Sequence, residues 1–260
     1  MPRRILVCQT QEDLFEGAAQ FVAQSLTLQQ DPAKFSSVAL SGGSTPRRLF
    51  ARLIADPYRT KVDWSSVRIF WGDERPVPPD HPESNFRMAK ENLLDHLPIV
   101  PDHVFRMEGE RPAKEAAMRY EEVLQRVFSP CEEGAPRFDL ILLGMGADGH
   151  TASLFPETAV LGETKQWVAA PWVDKFQTHR ITLTPPVFQA AKRVLFVVAG
   201  PDKAAAIQAV LEGPLQPSRY PAQIVNPVQG NVTWLLDRDA ASGLKGTSVT
   251  GWTRDKGMVV

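Results

Sequence analysis

The chain has 260 residues, 43% of them hydrophobic and 23% charged, with a net charge of −1. Those proportions are globular and argue against general disorder, and so small a net charge gives no whole-molecule field to draw in nucleic acid or an anionic membrane. An anionic ligand therefore has to be captured by local groups.

Short apolar runs alternate with longer amphipathic stretches along the chain. Residues 5–8 read as a strand. Residues 12–30 read as a helix, with Leu14, Ala18, Phe21, Val22, Ser25 and Leu26 at helical spacing. A second strand is expected at 37–40, a helix at 46–54, a strand at 67–71, and helices at 85–94 and 113–128. The nearly unbroken apolar run 138–143 predicts a strand covered on both faces. Another strand at 194–198 leads into a helix at 202–211, and late strands are expected at 224–225 and 232–236. Periodicity is weak from residue 245 onward. The alternation predicts an α/β fold, a mainly parallel Rossmann-like sheet flanked by helices, with residues 1–260 forming one domain.

Cys8 lies in an apolar run and Cys131 in a polar, Pro-flanked stretch, so no disulfide is expected, and no Cys/His spacing resembles a zinc site. There is no apolar run of about 18 residues and no signal-peptide core behind the basic N-terminus. A reducing cytoplasm is the expected setting, with no membrane and no nucleic acid as partner.

In sheets of this class, ligands bind where loops leave the carboxyl ends of strands. The unusual residues fall at those ends. Ser41-Gly42-Gly43-Ser44-Thr45-Pro46 follows a strand and opens a helix, with Thr45 as the expected N-cap and Pro46 at the first helical position. Its glycines, hydroxyls and free N–H groups suit an anion such as a phosphate monoester. The Lys-Ser/Thr pair of a nucleotide P-loop is missing, so ATP is not implied.

Trp71-Gly72-Asp73-Glu74-Arg75 places three charges after a strand. Arg75 offers a planar fork of donors to an oxyanion, Asp73 can orient a cation or a sugar hydroxyl, and Glu74 reads as solvent-facing. Ser84 or Asn85 is the expected cap of the next helix. Gly144-Met145-Gly146-Ala147-Asp148-Gly149-His150-Thr151 would hold Asp148 and His150 at a strand end. A histidine beside a carboxylate in a glycine-rich turn suits general-base work near neutral pH. Lys203 opens a helix, where an ammonium conflicts with the helix dipole unless an anion is bound. Arg180 opens the run Arg180-Ile181-Thr182-Leu183-Thr184.

Together these segments resemble the 6-phosphogluconolactonase family, in order from Ser41-Gly42-Gly43-Ser44-Thr45-Pro46 to Lys203. The most specific part is the run through Asp148-Gly149-His150-Thr151-Ala152-Ser153-Leu154-Phe155-Pro156. The resemblance implies a fold related to glucosamine-6-phosphate deaminase and ribose-5-phosphate isomerase. It implies hydrolysis of 6-phosphoglucono-1,5-lactone to 6-phosphogluconate in the pentose phosphate pathway, with no cofactor and no metal. On that reading His150 is the base. Ser41, Gly42, Gly43, Ser44, Thr45, Arg180 and Lys203 hold the phosphate, and Asp73 and Arg75 lie near the reacting sugar. Either Asp73 or Asp148 supports His150 or Arg75. The partner is a small phosphorylated lactone, and a monomer is expected.

Two positions depart from the family pattern: Ala147 where Pro is frequent, and Gln189 where Asn is usual. An amino-sugar phosphate deaminase would need an Asn-Glu-Pro sequence shortly after the histidine, and Ser153-Leu154-Phe155-Pro156 lacks that Glu. A non-catalytic sugar-phosphate sensor attached to a transcription regulator would need a DNA-binding module, and no basic helix-turn-helix pattern precedes Ile5.

Overall fold

The computed structural model describes residues 3–28, 35–129, 134–246, 249–253 and 257. In chain order the elements are β1 (Arg4–Cys8), α1 (Gln11–Thr27), β2 (Ser36–Leu40), α2 (Ser44–Leu53), α3 (Tyr58–Lys61), β3 (Val67–Trp71) and β4 (Asp73–Glu74). Then come α4 (Asn85–Asn92), α5 (Ala113–Val127), β5 (Leu140–Leu143), β6 (Val168–Ala169), β7 (Trp172–Val173), β8 (Thr178–His179) and β9 (Ile181–Leu183). The last are α6 (Pro185–Ala190), β10 (Arg193–Val198), α7 (Ala204–Leu211), β11 (Asn231–Asp237) and β12 (Val249–Trp252).

Seven strands form the main sheet in the order β12-β1-β11-β10-β5-β2-β3, and every pairing in it is parallel. Side chains alternate strictly across it. Ile141, Leu143, Phe196, Val198, Trp234 and Leu236 face one buried cluster with α5, α6 and α7. Leu140, Leu142, Leu195, Val197, Leu235 and Trp71 face the other, with α1, α2 and α4. Both faces are covered, which is why the central strands read as unbroken apolar runs. Cys8 lies inside the second cluster, and burial, then Asp13 and Asp237, push its thiol up to about 12. It is an inert small hydrophobe. Cys131 lies outside the described residues.

Helix starts follow local chemistry. Thr10 accepts the Asp13 N–H and caps α1, and Ser84 accepts the Arg87 N–H and caps α4. The sequence places α1 through residue 30, but the helix closes at Thr27 with Leu28 as its C-cap, and residues 29–30 lie outside the described segments.

Four other expectations need correction. Helix α2 starts at Ser44 with Gly43 as its N-cap, so Thr45 and Pro46 lie inside the first turn and Thr45 is not the cap. Gly43 takes φ 104°, a left-handed setting that only glycine adopts cheaply, and this lets the helix begin earlier than the hydroxyl pattern suggests. The stretch expected as a strand at 224–225 instead ends a 3-10 turn, Pro221–Ile224, because Pro221 fixes φ and supplies no ladder donor. The helix expected from 202 begins as a 3-10 turn, Pro201–Lys203, before α7. The weakly periodic end of the chain supplies β12, an edge strand. A small antiparallel sheet, β4-β9-β6, sits beyond the ends of the main strands and is tied to β3 by the Leu183 N–H donating to the Gly72 carbonyl at 2.9 Å.

β3 is the other edge of the main sheet, and its last residue leads directly to Asp73. The Tyr120 hydroxyl, fully buried on α5, accepts the Trp71 N–H at 2.9 Å and donates to the Trp71 carbonyl at 3.2 Å. It replaces the strand partner that an edge lacks. Tyr120→Phe should cost about 1–3 kcal/mol by leaving these buried groups unpaired, read as a lowered urea midpoint with an unchanged slope.

Candidate active site

β2, β3, β5 and β10 all end at the same edge of the sheet, so the loops leaving them meet there. They enclose a cleft of about 270 Å³. Its walls are Ser41, Gly42, Gly43, Ser44, Thr45 and Pro46 after β2, Asp73 and Arg75 after β3, Gly144, Met145, Gly146, His150, Thr151 and Ala152 after β5, and Lys203 after β10, with Asn85 from α4. Among the described residues no group of three or more His, Cys, Asp and Glu side chains is placed to hold a metal ion.

One wall suits an anion. The first helical hydrogen bond of α2 runs from the Arg47 N–H to the Gly43 carbonyl, so the N–H groups at Ser44 and Thr45 have no partner within the helix. The helix dipole adds positive potential there. Lys203 sits at the start of α7 with its Nζ 2.8 Å from Asp202, on the rim of the same cleft.

The loop after β5 brings an imidazole to the same cleft. His150 Nδ1 lies 2.5 Å from Asp148 Oδ1, and the His150 backbone N–H donates to the same oxygen at 3.2 Å. The second oxygen, Oδ2, accepts from Lys175 Nζ at 3.0 Å. The hydrogen bond from His150 is the main cause that holds the Asp148 carboxyl well below the usual carboxylate range, against partial burial, and Lys175 adds to it. An ionised carboxylate can only accept, so Nδ1 carries the proton and Nε2 keeps a free lone pair. The imidazole stacks on Phe155, ring centroids 4.3 Å apart. The turn is tight: a Cβ on Gly146 would lie 2.1 Å from His150 Nδ1, so only glycine lets the loop fold under the ring.

Asp73 has a different task. It is buried, its Oδ2 accepts the Ser153 hydroxyl at 2.7 Å, and its backbone carbonyl accepts the Asn85 amide at 2.9 Å. It joins the β3, α4 and β5 loops. It makes no hydrogen bond to Arg75, whose Nη1 donates to the Glu83 carbonyl at 2.6 Å. Glu74 is also corrected: it is 2% exposed, not solvent-facing. Its carboxylate accepts the backbone N–H groups of Arg75, Asn85 and Phe86 and the Ser84 hydroxyl, an acidic cap under α4. Burial raises its pKa, and the three backbone donors oppose that shift.

Comparison with known proteins fits this geometry. The model of the family described as glucosamine-6-phosphate isomerases/6-phosphogluconolactonase matches residues 9–234. The chain belongs to that family. A 6-phosphogluconolactonase of Nostoc sp. is 40% identical over 210 residues, covering 80% of this chain and 84% of the relative. The crystal structure of a 6-phosphogluconolactonase from Trypanosoma cruzi superposes with a TM-score of 0.83 at 27% identity, covering 94% of this chain and 98% of that one. A monomeric glucosamine-6-phosphate deaminase shares the fold alone, with a TM-score of 0.78 at 23% identity over 93% of this chain and 100% of that one. The chain is an enzyme of this family.

Of the residues singled out from sequence, the structure brings Ser41, Gly42, Gly43, Ser44, Thr45, Asp73, Arg75, His150 and Lys203 to one cleft. Asp148 stands behind His150. Arg180 is not in the cleft wall: it is partly buried beside it, its guanidinium 4.8 Å from the Phe176 ring centroid. Burial, then the neighbouring Arg75, lower its pKa, while Asp73, Glu83 and Glu74 oppose them. Gln189 is exposed on α6 and does not line the cleft, and Ala147 is exposed at the tip of the loop. Ser153 and Lys175 were not singled out as site residues, and no local sequence pattern marks their partners.

The depressed Asp148 carboxyl has a signed consequence. It contributes stability above its unfolded pKa of about 4, and that contribution is lost as pH falls through the folded value. Urea midpoints of the native protein and of Asp148→Asn should therefore differ by a constant amount near pH 6, and the difference should begin to shrink only as pH falls below about 4.

Proposed function

We propose that this chain hydrolyses 6-phosphoglucono-1,5-lactone to 6-phosphogluconate, the lactone-opening step of the pentose phosphate pathway, with His150 as general base. One observation carries the reading: the start of α2, with N–H groups that have no helical partner, and His150 line one cleft. Relatives named for this activity support it.

The 6-phosphate lies against Ser41, Gly42, Gly43, Ser44 and Thr45, with Lys203 and Arg180 supplying positive charge. This remote contact aligns the ester carbonyl with the histidine. Nε2 removes a proton from water as the water oxygen bonds to the carbonyl carbon. Arg75 or backbone N–H groups of the β5 loop stabilise the oxyanion. The tetrahedral centre collapses, the bond to the ring oxygen breaks, and Nε2 returns its proton to that oxygen. Asp148 holds the tautomer throughout, and Asp73 holds the loops. A lactone is an activated ester, so one base and one anion-stabilising site are sufficient.

All groups in this scheme come from a single copy, so a monomer is competent. A phosphorylated, water-soluble substrate and the free thiol of Cys8 accord with a cytoplasmic setting, and among the described residues no helix is long and apolar enough to cross a membrane.

His150→Ala should lower enzymatic turnover of freshly generated lactone by about 100- to 10,000-fold after subtraction of spontaneous opening. Near-normal turnover would remove His150 from the role of base. Lys203→Ala should lower kcat/KM by about 10- to 100-fold on the phosphorylated lactone, the worth of a charge-assisted hydrogen bond, and far less on gluconolactone. Equal losses on both substrates would argue against a phosphate contact.

A further inference from the structure

The hairpin of β7 and β8 has no part in the scheme above, yet it reaches the catalytic pair. Between its strands runs a 3-10 turn, Asp174–Phe176, followed by Gln177 in the left-handed region at φ 50°. That turn delivers two side chains. Lys175 Nζ lies 3.0 Å from Asp148 Oδ2. The Phe176 ring meets Phe155 edge-on at 5.5 Å, and Phe155 in turn stacks on His150 at 4.3 Å. The hairpin therefore touches both supports of the imidazole, the carboxylate at its Nδ1 and the ring beneath it.

We propose that Lys175 is a positioning residue for His150: it fixes the Asp148 carboxylate by its second oxygen and sets the pH at which the imidazole becomes a free base. This rests on the role given to His150 above. The two oxygens of Asp148 are divided between two donors, Oδ1 to His150 and Oδ2 to Lys175. With Oδ2 held, the carboxylate cannot rotate away from Nδ1, and the Nδ1–H tautomer persists. The ammonium also shares the negative charge that would otherwise stabilise an imidazolium alone. Protonating His150 then places two cations on one carboxylate, so Lys175 keeps the histidine less basic than Asp148 by itself would make it.

Other charged groups act on the same ring. They are Asp148 on its own loop, Asp73, Arg75 and Lys203 in the cleft wall, and Arg180 beside it. Tyr220 packs on Gly149 behind the loop. These remain in place when Lys175 is changed, so the variant isolates one charge. Lys175 is largely exposed, and its replacement removes no buried surface of consequence.

The test is a titration of His150 by imidazole-nitrogen NMR in the free protein at low ionic strength, comparing the native protein with Lys175→Met and Lys175→Arg. In Lys175→Met the His150 pKa should rise by about half a pH unit, the scale of one partly screened charge, and the rise should shrink in 1 M salt. Lys175→Arg should restore the native value. The acid limb of kcat/KM against pH for lactone opening should move upward by the same amount in Lys175→Met. An unchanged or lowered His150 pKa in Lys175→Met overturns the proposal, as does a rise that Lys175→Arg fails to reverse. The NMR titration needs no substrate, so it judges Lys175 even if the protein opens no lactone, an outcome that would count against the proposed function instead.

Discussion

The site depends on one buried carboxylate. Asp73 leaves the end of β3, and its side chain accepts the Ser153 hydroxyl from the loop after β5 while its backbone carbonyl accepts the Asn85 amide from α4. A buried charge without partners would be costly, and with them it becomes a knot that sets where three loops sit relative to one another. Glu74, its neighbour, binds the first turn of α4 by its backbone N–H groups, so the helix that carries Asn85 is fixed by the same dipeptide. The hydrogen-bonded pair Asp148 and His150 lies between Gly144 and Ser153, both anchored: the Thr151 hydroxyl donates to the Gly144 carbonyl at 2.8 Å, and Ser153 is held by Asp73. Positioning of His150 is thus a property of the β3 exit as much as of its own loop.

The α2 start, Lys203 and Arg75 line the cleft with His150, whose counter-charge Asp148 stands behind it, and Arg180 lies beside the wall. Under the proposed function, the anionic end of the substrate goes to the α2 start and its neutral ester end to His150. Burial and then the neighbouring Arg75 disfavour the charge on Arg180, which the Asp73, Glu83 and Glu74 carboxylates partly offset. In that scheme, remote contact energy orients the reaction without touching the bond that breaks.

Much of this was readable in the sequence. The strand ends were found because strands covered on both faces must be apolar throughout, so an abrupt change to Ser-Gly-Gly, Gly-Asp-Glu or Gly-Met-Gly marks an exit at the binding edge. What escaped depends on through-space partners. Asp73 and Asp148 are both carboxylates beside a strand end, and only coordinates show that one binds Ser153 and the other His150. Glu74 read as exposed because a charged residue in a turn is usually solvated, and its caps come from residues 11 and 12 positions later. Thr45 read as a cap because local preference favours it, but Gly43 can take a backbone angle that moves the start back. β12 escaped because an edge strand facing one neighbour needs little apolar repetition.

The strand order carries a consequence for how the molecule is made. β1, the earliest in sequence of the described strands, lies between β11 and β12, which come more than 200 residues later. Its backbone donors and acceptors on both sides must wait for nearly the whole chain. Until then α1 can cover only one side of an incomplete sheet, and the apolar edge of β1 is open to other chains. Pairing of β1 therefore waits for both late strands, and loss of β11 or β12 should be felt first at β1.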